Sequence, residues 1–137
     1  MNMINQLVNR LIDAAKAEEW KKVDELFIPE LVERNDPYSV AWAVNRGLYD
    51  ENGNVRDAAA SLLGKQPIPQ DLIEVARLNL FSVAMSDPHV FAKYRAAIAL
   101  AKIGADVYKD HVREVLLQAV QMEDVREPAQ EALDLLK

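Results

Sequence analysis

The chain has 137 residues, of which 50% are hydrophobic and 28% are charged, a balance typical of one folded domain rather than a disordered segment. Its formal net charge of −6 disfavours nucleic acid as the partner, and the absence of cysteine excludes disulfides and thiolate metal sites. No apolar run approaches the ~20 residues that a membrane span needs. Residues 1–16 lack a basic segment ahead of an apolar core, so we expect a cytoplasmic protein that does not bind membranes.

Two amphipathic helices are predicted at the start of the chain. Residues 2–17 carry apolar side chains at helical spacing, and the next segment places Trp20 and Phe27 on one apolar side. Pro29 cannot donate a backbone hydrogen bond, so a break or restart of the second helix is expected there.

Further helices are predicted along the rest of the chain. Asp36 followed by Pro37 predicts a helix start, with proline at the first helical position. After a turn, Asn54 is predicted to cap the next helix, which ends at Gly64, and the segment 65–69 is the clearest loop. Additional helices are predicted at about 70–85, 89–103, 107–122 and 125–136. No segment alternates in polarity over a useful length, so the predicted class is all-α.

The predicted core consists of leucines on the apolar faces of these helices. These are Leu62, Leu63, Leu100 and Leu133. The same periodicity places Tyr38 on the buried side of its helix, with Trp42 next to it. Runs of alanine in the same helices should let neighbouring helices approach closely.

An internal repeat is the strongest signal in the sequence. Asp50, Asp87 and Asp124 follow one another at intervals of 37 residues. Residues 55–64 match residues 92–101 at the same interval. Self-similarity at a fixed period of this length is typical of helical repeat proteins, in which one helix pair cannot bury its apolar side alone.

The repeated pattern, an Asp followed by Val-Arg, paired alanines and a Leu-Gly type of ending, resembles the HEAT repeat family over residues 36–137. The resemblance implies an α-solenoid of about seven or eight helices, stacked as antiparallel pairs into a curved superhelix whose inner helices bind partners. We interpret residues 1–137 as a single HEAT-like domain. Within it, residues 1–35 form an irregular N-terminal helical cap and residues 36–137 form the repeats.

Two charge pairs recur with the repeat. Asp50 precedes Arg56 by six residues, and Asp87 precedes Lys93 by the same distance. The resemblance implies that such carboxylate–cation pairs connect adjacent repeats, so we interpret all four residues as structural rather than catalytic.

No residue set in the sequence demands a particular reaction. His89 and His111 lie on different predicted elements, whereas zinc needs three or four close ligands. The four glycines are scattered, so there is no phosphate-binding loop. We therefore expect a protein that is not an enzyme, with no catalytic residue, no metal and no cofactor.

A candidate partner-binding patch emerges when the first helices of the repeats are aligned. In the last copy, the aligned positions along one helix face are polar. The equivalent positions are apolar closer to the N-terminus, at Phe81 in the middle copy and at Val40 and Val44 in the first copy. Two interpretations stay open. Either the N-terminal helices fold over the two valines, or Val40, Val44 and Phe81, flanked by Arg77, form an exposed patch for a partner helix or peptide.

We interpret the chain as a protein–protein interaction module, an adaptor, scaffold or assembly factor with an acidic, curved helical surface. One alternative, implied only by the resemblance, is an accessory subunit of an enzyme, similar to the bilin-lyase-like HEAT proteins. A nucleic-acid binder is a third interpretation, but the basic residues of the would-be inner helices are interleaved with acidic ones. Self-association stays open because the final helix lacks an obvious polar cap.

Overall fold

A computed structural model describes residues 2–137, which contain helices and no strand. The α-helices are α1 (Met3–Lys16), α2 (Trp20–Lys22), α3 (Ile28–Arg34), α4 (Pro37–Asn45), α5 (Gly53–Leu63), α6 (Ile73–Ser86), α7 (Val90–Ile103), α8 (Lys109–Ala119) and α9 (Arg126–Leu135). Short 3₁₀ turns lie at Gly47–Tyr49, Gln70–Leu72, Asp106–Tyr108 and Glu123–Val125. The all-α prediction is confirmed. No helix among the described residues combines the length and the apolarity that crossing a bilayer requires.

The expected break or restart at Pro29 is met in part, because α3 begins at Ile28 with Pro29 in its first turn, but the chain does not leave the helical path. A π-helical turn at Val23–Phe27 joins α2 to α3, and the helical path continues through the proline to Arg34. The π-helical turn widens the helix just before Pro29, which accommodates a residue that lacks an amide hydrogen. The helix ends instead at Asn35, whose φ of 48° places it in the left-handed conformation common after a helix C-terminus.

From residue 37 onward the helices pack as consecutive pairs, α4 with α5, α6 with α7 and α8 with α9. Each pair also contacts the next. Helices α4, α6 and α8 form a first row in which α6 touches both neighbours, and α5, α7 and α9 form a second row centred on α7. Helix α1 packs against α4 and α5 at one end of the rows.

Side-chain caps fix where the second-row helices begin. The Oδ1 atom of Asn52 accepts the backbone amides of Asn54 at 2.8 Å and Val55 at 3.3 Å, so Asn52 is the N-cap of α5. The prediction of Asn54 as the cap is therefore wrong by two residues, because Asn52 is the one that holds the extended backbone an N-cap requires. In α7 the cap is His89, whose Nδ1 accepts the amide of Ala92 at 3.1 Å.

Small residues let the rows approach closely, and most of the predicted core is confirmed. Ala58, Ala59, Ala60, Ala96, Ala97 and Ala99 are all buried. Leu62, Leu63 and Leu100 are fully buried, whereas Leu133 is only partly buried. Trp42 is buried as predicted, but the placement of Tyr38 is wrong. Its ring is exposed. The Tyr38 hydroxyl donates to Asn5 Oδ1 on α1 at 2.9 Å, and this hydrogen bond holds the side chain at the surface.

Candidate functional site

The exposed-patch interpretation is wrong for its two valines. Val40 and Val44 are both 0% exposed, on the helix that α1, α5 and α6 contact. The carbonyl of Val44 also accepts a hydrogen bond from the buried Asn79 Nδ2 at 3.0 Å. These side chains cannot offer a surface to a partner, because the packing of neighbouring helices already covers them.

The other two residues of that patch connect elements of the fold. Phe81 is half-buried and stacks on Tyr108, with ring centroids 4.2 Å apart. The Nε atom of Arg77 donates to the carbonyl of Gly104 at 2.8 Å, and its Nη1 pairs with Glu74 at 2.7 Å. Both side chains therefore tie α6 to the segment that leads into α8.

Neither predicted charge pair forms as a direct ion pair within residues 2–137. Arg56 does not pair with the carboxylate of Asp50 but donates to its backbone carbonyl at 2.7 Å. The guanidinium instead binds both carboxylate oxygens of Asp87, at 2.7 and 2.9 Å, which links the start of α5 to the turn ahead of α7. Lys93 forms no ion pair within residues 2–137. The arginine thus joins successive helix pairs, but with a partner 31 residues ahead rather than six residues behind.

The Arg56–Asp87 pair is almost dry, since the Asp87 side chain is only 3% exposed. Burial alone would raise the pKa of Asp87. The hydrogen bonds from Arg56 and from the backbone amide of His89 outweigh that effect and hold the pKa below its usual value. Asp87 is therefore ionised and satisfied, which is the state of a structural carboxylate.

A concave pocket of about 390 Å³ opens on the second row. Its floor and walls come from the N-terminal halves of α5 and α7 and from the 3₁₀ turn ahead of α9. The segment containing Glu18, Trp20 and Asp24 closes the remaining side. We call this the Asp57 pocket, after the carboxylate at its base. None of the residues predicted from the sequence as a partner site lines it.

Asp57 is the most unusual group in the pocket. The residue is only 8% exposed, and no hydrogen-bond donor in residues 2–137 reaches its carboxylate. The nearest cation is Arg95, whose Nε lies 3.9 Å from Oδ1, beyond hydrogen-bond distance. Burial raises the pKa of Asp57 to about 6, an effect that Arg95 opposes and Asp24 reinforces. The site therefore holds a largely buried carboxylate that has a long ion pair with Arg95 and opens on the pocket.

His89 forms a fixed wall of the pocket. Its Nδ1 accepts the Ala92 amide, so in the neutral ring Nε2 carries the proton and donates it to Asn54 Oδ1 at 3.0 Å. The ring lies directly over Gly53, where an added Cβ would come within 2.3 Å of the imidazole. Both ring nitrogens are engaged in holding α5 and α7 together, which leaves neither for proton transfer with a ligand.

The remaining lining gives the pocket its charge and its apolar surface. The carboxylates of Glu18, Asp24 and Asp124 accompany Asp57, and Arg95 is the one lysine or arginine among the lining residues. The half-buried aromatic rings of Trp20 and Phe91 complete the walls. The described residues contain no group of three side chains that could hold a metal ion. The arrangement can bind a cationic or hydrogen-bond-donating group.

Reasoning from the sequence missed this site, although one signal was available. Asp57 directly precedes three buried alanines, and the 37-residue shift places Tyr94 at the equivalent position. A lone acid on a helix face that buries alanine marks a carboxylate that the fold must either pair or expose to a ligand. Comparison with protein-family models, with curated proteins and with solved structures finds no match to this chain.

Proposed function

We propose that this chain is a HEAT-like helical repeat protein that acts as a non-enzymatic protein–protein interaction module, an adaptor or assembly factor, and that its partner docks at the Asp57 pocket. The observation that carries the proposal is the carboxylate of Asp57, which is buried without a hydrogen-bond donor at the base of an open pocket. A carboxylate that is largely buried, has a raised pKa and opens on a pocket is typical of a functional site.

The repeat architecture is supported by contacts that recur along the chain. Three consecutive helix pairs pack in the same order, and the bidentate Arg56–Asp87 pair joins the first two. Arg126 holds the carbonyl of Val120, six residues earlier, at 2.8 Å, which repeats the contact of Arg56 with the carbonyl of Asp50. Stacked units that present one continuous face are suited to bind extended partners.

Binding is favoured over catalysis by the state of the titratable groups in the pocket. Both nitrogens of His89 already make hydrogen bonds within the fold, so the imidazole is not free to exchange a proton with a substrate.

The proposal is tested by capture from an extract of the native cell with chemical crosslinking and mass spectrometry. Three baits are compared: the unaltered chain, the Asp57→Asn variant and the Glu114→Gln variant, which removes the same charge from an exposed position on α8. We expect a protein recovered at fixed stoichiometry by the unaltered chain and by Glu114→Gln, crosslinked to Lys21 or Lys22 beside the pocket, and lost with Asp57→Asn. A partner that all three baits retain equally, crosslinked through Lys109 of α8, would contradict docking at this pocket.

A further inference from the structure

We propose that the Asp57 pocket takes an arginine side chain of the partner protein, with the guanidinium on the carboxylate of Asp57 and its plane against Trp20 and Phe91. This inference rests on the proposed function, because it names the chemistry by which the partner is recognised at the same site. Its three supports are the charge of the pocket, the absence of a hydrogen bond to Asp57 from residues 2–137, and the aromatic walls.

The charge of the pocket selects a cation. Four carboxylates line it, from the segment between α1 and α3, from α5 and from the turn ahead of α9, whereas Arg95 is the one lysine or arginine among the lining residues. The carboxylates therefore converge from three separate parts of the chain on one opening. A phosphate or carboxylate ligand would be repelled, and a cationic group would be attracted.

The second support is independent of the number of acids. The Asp57 side chain is only 12% exposed, lines the pocket and receives no hydrogen bond from residues 2–137. Its ion pair with Arg95 is long, at 3.9 Å, so the carboxylate oxygens can still accept hydrogen bonds from a ligand. A guanidinium offers several N–H donors in a planar fork and can bind both oxygens of a carboxylate at once, which an ammonium cannot do. The open lone pairs of Asp57 match that fork.

The aromatic walls favour arginine over other cations. Trp20 and Phe91 are half-buried and face the pocket from α2 and α7. A planar guanidinium stacks on aromatic faces while its edge donates hydrogen bonds, whereas a compact, strongly hydrated ammonium gains less from such walls. A metal ion is a poorer match, because the described side chains include no group of three that could coordinate one.

The test is an NMR titration of the full chain at pH 7.5 with the capped tripeptide glycyl-arginyl-glycine, using the same peptide with neutral citrulline as the control. Binding should shift the backbone amides of Asp57 and Phe91 and the indole N–H of Trp20, and the citrulline peptide should not. Asp57→Asn should weaken binding at least about tenfold. Asp24→Asn changes an exposed residue at the rim and should weaken binding less, and Glu114→Gln should leave it unchanged.

Acidification provides a second readout that a merely structural Asp57 would not produce. The charged groups facing Asp57 are Glu18, Asp24, His89, Arg95 and Asp124. With a pKa of about 6, the carboxylate is mostly protonated at pH 5, so the arginine peptide should bind about tenfold more weakly there than at pH 7.5. In the Asp57→Asn variant this pH dependence should be absent.

Three outcomes would overturn the inference. They are equal binding of the citrulline peptide, tighter binding of a lysine peptide or of spermidine, and no shift of any pocket resonance at millimolar arginine peptide. Each is distinguishable from failure of the proposed function. If Asp57→Asn still loses its captured partner while the arginine peptide does not bind, docking at the pocket stands and only the identity of the recognised side chain is wrong.

Discussion

Replacing Asp57 with asparagine should stabilise the folded chain at neutral pH while it removes the recognition carboxylate. The folded state holds the pKa of Asp57 at about 6, against an ordinary value of 3.8, because burial disfavours the ionised form. The pKa is raised, so this group weakens the fold as pH increases from about 4 to about 6, and the full effect is present above that window. At 1.36 kcal/mol per pKa unit, the ionised carboxylate lowers the free energy of unfolding by about 3 kcal/mol.

Measuring the effect of Asp57→Asn on stability at two pH values isolates the cost of ionising Asp57 in the folded chain. Asparagine cannot ionise, and its amide is as polar at pH 4 as at pH 7.5, so any constant effect of the amide cancels between the two conditions. We expect the stability of Asp57→Asn relative to the unaltered chain to be about 2–3 kcal/mol more favourable at pH 7.5 than at pH 4. Urea unfolding followed by circular dichroism at 222 nm measures the free energy of unfolding at each pH.

Glu114→Gln is the matched control, since it alters an exposed carboxylate on α8 and should change stability by less than about 0.5 kcal/mol at either pH. The reasoning would be refuted if Asp57→Asn changed stability equally at both pH values. It would also be refuted if the variant were relatively less stable at pH 7.5, which would mean that a donor satisfies the carboxylate.

Other substitutions test the packing that positions the pocket, each measured by urea unfolding at pH 7.5. Arg56→Met leaves the buried carboxylate of Asp87 without its partner and should lower the free energy of unfolding by about 3–5 kcal/mol, and a loss below about 1 kcal/mol would contradict the pairing. Gly47→Ala would place a Cβ 2.6 Å from the Cβ of Ala59 and should lower the free energy of unfolding by about 1–3 kcal/mol. The loss caused by Gly47→Ala should be smaller when Ala59→Gly is also present. Val44→Asp places a charge at a fully buried position and should abolish the helical signal, whereas a folded variant would show that the valine is accessible.

The helices were predicted well because amphipathic periodicity can be read from one sequence. The predictions failed where the backbone departs from the α-helix. The helix predicted from about residue 70 begins at Ile73, because Gln70–Leu72 is a 3₁₀ turn whose local pattern resembles a helix start. The π-helical turn before Pro29 is equally hidden. A π-helical turn differs from an α-helical turn in which backbone groups are hydrogen-bonded, and the side-chain spacing of one segment does not specify that pattern.

Much of the candidate site could not be predicted, because the N-terminal residues that line it lie outside the repeat. Asp24 and Asp57 share the pocket although 33 residues separate them, and Asp24 belongs to the region outside the repeat. Similarly, Arg56 pairs with Asp87 across two helix pairs rather than with the nearer Asp50. Such contacts depend on how separate segments pack against one another, which the spacing of residues within one segment does not specify.

The central claim is that a largely buried carboxylate opens on the pocket without a hydrogen bond from residues 2–137, and the side-chain carbon-13 resonance of Asp57 tests it most directly. Followed by NMR as the pH is varied on the unliganded chain, the carboxyl signal should titrate with a midpoint of about 6. Adding the captured partner at saturating concentration should move that midpoint downward, since a bound cation favours the ionised form. A midpoint near 3.8 in the unliganded chain would show that the carboxylate is already satisfied, and it would contradict the account of the site.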